Sequence, residues 1–434
     1  MLGQANQQNI GLAGRAPRQF GNDTDVYPFS ALRHPSPPPC GELDTKLSKC
    51  KSCRDEPAVG IETMIDRREM LAAASSAAVL SMLPSRSAPE ESVSPEAADI
   101  YRRALVFDAN LAPPVQDKFP FPKTLLDTMR QSGITAMKTT LGGIDGKFED
   151  TINDIAFAQS LVEEYPDLYV QVRRHDDFAR AKRENRVGIL LSFEAATMLE
   201  GKLGRIELFR GLGVRVMQLT YNKESPFGMG VLGDPKAGLT PLGRKAVAKM
   251  NEQGVAIDLS HSNETTAFGV LQITSRPALI THAGCAAVYG HPRNKSDALL
   301  RAVAAKGGVV GIYDLPYLTP SPKQPTLDDY MAHMTHALSV SGEDHVGIGS
   351  DSDVTPWDTS PKALADFNKE EEHRKKSGLA APGEDRPPYV IGLNTPRRCE
   401  VIADALLKRG YSARVAEKVL GLNFTDALAR IWKE

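Results

Sequence analysis

Four short apolar runs in this sequence each end on a residue able to hold a metal ion or move a proton. Residues 187–193 close on Glu194, 255–260 on His261, 278–281 on His282 and 346–350 on Asp351. One carboxylate and two imidazoles form a three-ligand set for catalytic zinc, with a fourth position open for water. Zinc lowers the pKa of such a water to about 7 and so provides hydroxide at neutral pH. A further carboxylate nearby can carry the proton from water to a leaving amine. Each residue alone has a plain structural use, since His261 could cap the next helix and Asp351 could sit in a turn. Four at the ends of successive runs describe the rim of a parallel barrel, where polar groups from different strands converge. The chemistry to expect there is metal-assisted hydrolysis.

The elements that would position these residues alternate regularly from about Ser94. The pattern predicts strands at 104–107, 134–139, 187–193, 214–221, 255–260, 278–281, 308–313 and 346–350. Helices are predicted between them at 124–131, 148–164, 203–212, 241–253, 265–273, 297–306 and 326–341, and a short apolar piece at 168–172 is set aside. Eight βα units with right-handed crossovers point to a closed (β/α)8 barrel, the TIM barrel, over an open doubly wound sheet. No Gly-x-Gly-x-x-Gly follows a strand, which argues against a dinucleotide fold. Beyond the eighth strand, the charged, Pro-rich stretch 361–388 reads as a surface loop or lid near the strand ends. Helices at 395–409 and 412–420, stopped by Gly410 and Gly421, close the C-terminus.

The chain has 434 residues, with 52 lysines and arginines against 54 acids, so no excess of basic charge points to nucleic acid. Residues 1–63 lack a sustained hydrophobic period and read as a disordered or non-native leader. Cys50 and Cys53 form a Cys-x-x-Cys within it, a pair that can bind zinc or cycle redox, but no second pair follows. Residues 64–88 then resemble a secretory signal. Arg67-Arg68 precede an apolar, alanine-rich run at 71–83 and small residues at 85–88. The apolar run is too short for a stable membrane span, and the arginine pair resembles the twin-arginine export signal. The alternative is an amphipathic helix of the folded domain. On the signal reading, translation begins at Met64, the mature chain begins near Pro89, and the protein is periplasmic or secreted. If the signal reading fails, it is cytoplasmic.

Longer motifs across the barrel region resemble the renal, or membrane, dipeptidases, zinc peptidases that hydrolyse short peptides. The resemblance runs from about Leu105 to Trp432. It is carried by Gly238-Leu239-Thr240-Pro241-Leu242-Gly243, by Met250-Asn251 leading to Ile257-Asp258-Leu259-Ser260-His261, and by Thr281-His282 followed by His291-Pro292-Arg293-Asn294. His345-Val346-Gly347-Ile348-Gly349-Ser350-Asp351, Gly410-Tyr411-Ser412 and Gly421-Leu422-Asn423 complete it. The resemblance implies that Glu194, His261 and His282 bind zinc, that Asp351 handles protons, and that Arg293 holds the substrate carboxylate. A planar guanidinium suits that last task because it can make two parallel bonds.

Two departures from the family pattern bear on mechanism. Where the family's first strand ends in Asp-Gly-His-x-Asp, supplying two ligands to a second zinc, this chain has Asp108-Ala109-Asn110-Leu111-Ala112. Where the fourth strand ends in Leu-Thr-His, with a histidine that polarises the scissile carbonyl, this chain has Leu219-Thr220-Tyr221. A tyrosine hydroxyl can donate to an oxyanion, so Tyr221 is a candidate substitute, with rim packing as its other role. The expectation is therefore an exported (β/α)8 metal-dependent hydrolase, resembling membrane dipeptidases and holding one zinc ion. Its substrate would be a dipeptide or a similar small carboxylate. The alternatives are a related amidohydrolase acting on lactams or modified amino acids, and an inactive protein that binds small carboxylates. A homodimer is left open, and no stable membrane span is expected.

Overall fold

Residues 93–116, 118–376 and 382–432 are described by the structure, a computed structural model. The leader 1–63, with Cys40, Cys50 and Cys53, and the signal-like segment 64–88 lie outside the described residues. Eight parallel strands follow one another around a ring. They are β1 Phe107–Asp108, β2 Ala136–Thr140, β3 Val187–Phe193, β4 Val214–Gln218, β5 Ala256–Asp258, β6 Ile280–Ala283, β7 Val310–Ile312 and β8 Val346–Ile348. Asp108 of β1 lies opposite Ile348 of β8. Between β5 and β6 the ring is bridged at Asp258 and Leu279, where Leu279 N–H donates to Ile257 O at 2.9 Å and Leu259 N–H to Leu279 O at 2.8 Å. This is the (β/α)8 barrel expected. The piece set aside at 168–172 contains a strand, Tyr169–Gln171, paired with the first half of β3, whose second half pairs with β4.

Strand alternation sorts the ring's interior into layers. Ala136, Lys138 and Thr140 share one face of β2, and Leu190 and Ser192 share the matching face of β3 with Glu194 just beyond. Ala136 and Leu190 join Val216, Ala256, Leu279 and Val309 in an inner core, whereas Met137, Ile189, Leu191 and Ile257 pack between strands and helices. The inner core is plugged by the C-terminal helix Asn423–Ile431. Its Phe424 ring lies 5.9 Å from Phe107, and Trp432 just after it stacks 5.9 Å from Phe178. Apolar side chains therefore fill the start of the barrel, and the same period delivers polar ones to its far end.

Helices begin where side chains can cap their free N–H groups. Thr240 before Pro241–Gln253, Asn263 before Glu264–Ile273 and Ser296 before Asp297–Ala305 all do so, and Thr326 forms a full capping box with Asp329. Pro95–Arg103 and Asp176–Arg183 are helices beyond those predicted. The stretch read as a surface loop also needs correction, because Pro361–Lys376 is helical. Of its side chains only Glu371 and Arg374 are buried, so it presents no apolar stripe for the sequence to reveal. Gly421 interrupts the helical stretch as expected, its backbone leaving helical geometry at φ 173° before a further helix begins. A Cβ there would come within 2.5 Å of the Leu105 carbonyl, so glycine lets the backbone pass against the first strand before Asn423–Ile431 begins. Among the described residues no helix is long and apolar enough to cross a membrane.

Acid should destabilise the barrel through His333. Its imidazole is fully buried, its Nδ1 accepts from Cys285 N–H at 2.9 Å, and its Nε2 faces the Leu318 carbonyl at 3.0 Å. That pairing needs a neutral ring, and burial pushes its pKa down to about 4. An unfolded histidine titrates near 6.5, so between those values the unfolded chain binds more protons and stability falls with pH. Moving from pH 7 to 5 should cost about 2 kcal/mol through this group, at 1.36 kcal/mol per unit. Urea midpoints at both pH values measure it, and His333→Gln should lower the pH slope by about one proton.

Candidate active site

Two buried aspartates tie neighbouring strands together just below the rim. Asp258 of β5 accepts from the backbone N–H of Ser260 at 3.0 Å and of Thr281 at 3.1 Å, and from both their hydroxyls. This fixes the next residue on each strand end, His261 and His282, relative to the other. Asp108 of β1 repeats the device, accepting at 3.0 Å from Asn110 N–H and from Ser350 N–H, and from the Ser350 hydroxyl. It sets Asn110 beside Asp351, whose N–H donates to the Asn110 carbonyl at 2.7 Å. Asp351 has φ 56°, a left-handed conformation rare outside glycine and often found at functional sites. Asp108 is thereby committed to structure.

The two imidazoles meet head to head, with His261 Nε2 3.0 Å from His282 Nε2. Asn222 Oδ1 lies 2.8 Å from His261 Nδ1, an acceptor that places the ring proton there. Thr281 gives its hydroxyl hydrogen to Asp258, so it accepts from His282 Nδ1 at 2.9 Å. Both Nε2 atoms then present lone pairs to each other and have no proton to share. Burial, followed by the field of Arg293, holds both rings well below the usual imidazole pKa and hence neutral. Glu194 Oε2 stands 3.9 Å from His261 Nε2, and one donor atom from each of Glu194, His261 and His282 lies within 4.8 Å of the others. Two bare nitrogens and a carboxylate oxygen facing one point fit a divalent cation, with each imidazole oriented through its other nitrogen.

Asn110 stands between the carboxylates. Its Nδ2 donates to Glu194 Oε1 at 2.7 Å and to Asp351 Oδ1 at 2.6 Å. Asp351 Oδ2 is 4.0 Å from His282 Nε2. Burial, and next the nearby Glu194 charge, push the Asp351 carboxyl up to about 7. Ala112 offers only a methyl and is paired in a two-residue strand with Ser352–Asp353.

Arg293 lies across the rim, 2% exposed, and its Nε and Nη2 have no hydrogen-bond partner. Its guanidinium carbon lies 5.9 Å from the centroid of the Tyr317 ring. Asp297, the nearby acid at the start of the next helix, pairs with His336 at 2.7 Å. Tyr221 stacks on His261, with ring centroids 4.1 Å apart. The segment after β8 caps this side. Tyr317 donates to Glu384 at 2.6 Å, and Arg374 of the helix Pro361–Lys376 holds the other Glu384 oxygen at 2.7 Å.

All six residues singled out in the sequence, Glu194, His261, His282, Asp351, Arg293 and Tyr221, therefore gather at the strand C-termini. Sequence reasoning missed Asn222, the capping pair Arg374 and Glu384, and Lys138. Only Lys138 left a signal, a cation inside an apolar strand run.

Comparison with known proteins assigns the chain to a family. The sequence profile of membrane dipeptidases (peptidase family M19) matches residues 73–372, and the chain belongs to that family. An uncharacterized dipeptidase of Schizosaccharomyces pombe is 32% identical over 227 residues, 51% of this chain but only 54% of that protein's length. The crystal structure of an amidohydrolase from Pseudomonas aeruginosa is 30% identical, with a TM-score of 0.68 over 78% of this chain and 99% of its own. A metallopeptidase from Rhodobacter sphaeroides, liganded with a phosphinate mimic of the dipeptide L-Ala-D-Ala, shares the fold at 20% identity. Its TM-score is 0.60, over 76% of this chain and 99% of that one.

Proposed function

We propose that this member of the membrane dipeptidase family hydrolyses the amide bond of dipeptides, or of similarly small carboxylates, at a single zinc site. The observation that carries the reading is the pair of buried, neutral imidazoles with converging Nε2 atoms, flanked by Glu194 and Asp351. Zinc held by Glu194, His261 and His282 would supply Lewis acidity and a nucleophilic water at neutral pH. Asp351, raised toward neutrality, takes the proton of the attacking water and returns it to the leaving amine. Arg293 binds the substrate's terminal carboxylate with the two nitrogens it leaves unpaired. Tyr221, placed by its stacking on His261, donates to the carbonyl oxygen as negative charge develops there. The ligand of the Rhodobacter sphaeroides structure supports a substrate of this size.

Purified protein should retain about one zinc per chain after dialysis, by the three-ligand rule. It should turn over members of a dipeptide panel, lose that activity to a chelator and regain it with zinc. Two tightly held equivalents would refute the single site. Binding of small carboxylates without turnover would make the chain a binding protein. Turnover of lactams alone would favour the amidohydrolase reading, which the name of the 30%-identical relative supports.

The twin-arginine reading of Arg67 and Arg68 is likewise a proposal. Replacing both with lysine should trap precursor in the cytoplasm. Unchanged export of that variant would refute it.

A further inference from the structure

Lys138 is a buried cation that the proposed reaction does not use. It is 1% exposed and lies on the polar inner face of β2. Its ammonium donates to Asn110 Oδ1 at 2.8 Å, Ser192 Oγ at 3.1 Å and Thr140 Oγ1 at 3.3 Å. Three hydrogens thus meet three oxygens, all of them neutral. Taking an ammonium out of water is costly, and neutral oxygens alone do not offset that cost. The compensating charge lies one amide away. Asn110 receives the ammonium on its oxygen and spends both Nδ2 hydrogens on Glu194 and Asp351. Flipping that amide would set its oxygen against two carboxylates and its hydrogens against a cation, so its orientation is fixed by charge. Thr140 makes a second link, donating to Glu194 Oε1 at 2.9 Å.

We propose that Lys138 is a built-in second cation of this site. Its ammonium neutralises the Glu194–Asp351 pair through Asn110, so that one divalent ion completes the charge balance. The inference rests on the reading of Glu194, His261 and His282 as the metal site. It explains why Asn110 and Ala112 can stand at the end of the first strand without leaving the two carboxylates uncompensated. A second dication on Glu194 would have to displace the Asn110 amide and face the ammonium. Lys138 touches no reacting atom. Its role is to position Asn110 and to set the charge that the metal meets.

Zinc affinity tests this directly, by competition with a chelating dye on metal-free protein. Lys138→Gln keeps a polar head among the three oxygens, Lys138→Met keeps the length, and both remove the charge. Each should bind zinc about ten- to a hundredfold more tightly than the parent, because a like charge one amide away from the ligand Glu194 has gone. Lys138→Arg keeps the charge and should stay within about threefold of the parent on the same argument. Melting curves of the metal-free variants identify any that do not fold, and either neutral variant suffices. Unchanged affinity in a folded neutral variant overturns the inference, as does Lys138→Arg behaving like Lys138→Gln. A parent chain that binds no zinc overturns the metal site itself, and this inference with it.

Discussion

Asp351→Asn should lower kcat by about 10²–10⁴-fold, the usual span for a general acid–base group, with zinc content unchanged. Asparagine can still present an oxygen to Asn110 Nδ2 and keep its N–H on the Asn110 carbonyl, so the rim geometry survives. It cannot accept a proton from water or return one to an amine. The metal set of Glu194, His261 and His282 does not include this residue, so metal retention separates a lost proton carrier from a lost ligand. The base form is the one required for attack, and burial, followed by the Glu194 charge, raises the Asp351 carboxyl above its usual range. Parent kcat/KM should therefore rise with pH through a limb that the variant lacks. A variant with parental kcat, or one that sheds its zinc, would remove Asp351 from this role.

The barrel and its rim residues were legible because two periods agree. Apolar runs of strand length alternated with helix-length segments, and predicted helices such as 148–164 and 241–253 coincide with Phe148–Glu164 and Pro241–Gln253. The same alternation that buries Leu190 and Ser192 aims Glu194 at the barrel's open end, so a ligand-type residue after an apolar run was a reliable pointer. Charge and tertiary contact hid the rest. Pro361–Lys376 buries almost nothing apolar, so it left no stripe. Asn222 orients His261 across 39 residues of sequence, a pairing that only the folded chain reveals. Asn110 was visible as an absent ligand, but its role as a bridge between an ammonium and two carboxylates depends on Lys138, one strand away. A lysine within an apolar strand run was the available clue, since buried lysines are rare unless paired.

Arg293→Met should raise KM for free dipeptides by about 10²-fold or more, with a much smaller change in kcat. A buried guanidinium with Nε and Nη2 unpaired is an anion site waiting for its anion, and truncating one partner of a buried charged pair typically costs 2–5 kcal/mol. The carboxylate is held in ground and transition states alike, so its loss falls on KM and spares the chemical step. Substrates with an amidated C-terminus should be poor for the parent. They should be about as good as free acids for the variant, because the charge that distinguished them is gone. Stability provides the complementary measurement. In the substrate-free protein Arg293 is a buried charge without a hydrogen-bonded counterion, so a methionine of similar length relieves that cost and should leave the melting temperature the same or higher. A structural arginine would behave in the opposite way, with lost stability, unchanged KM and preserved discrimination against the amide. That outcome would move the carboxylate site away from His291-Pro292-Arg293-Asn294.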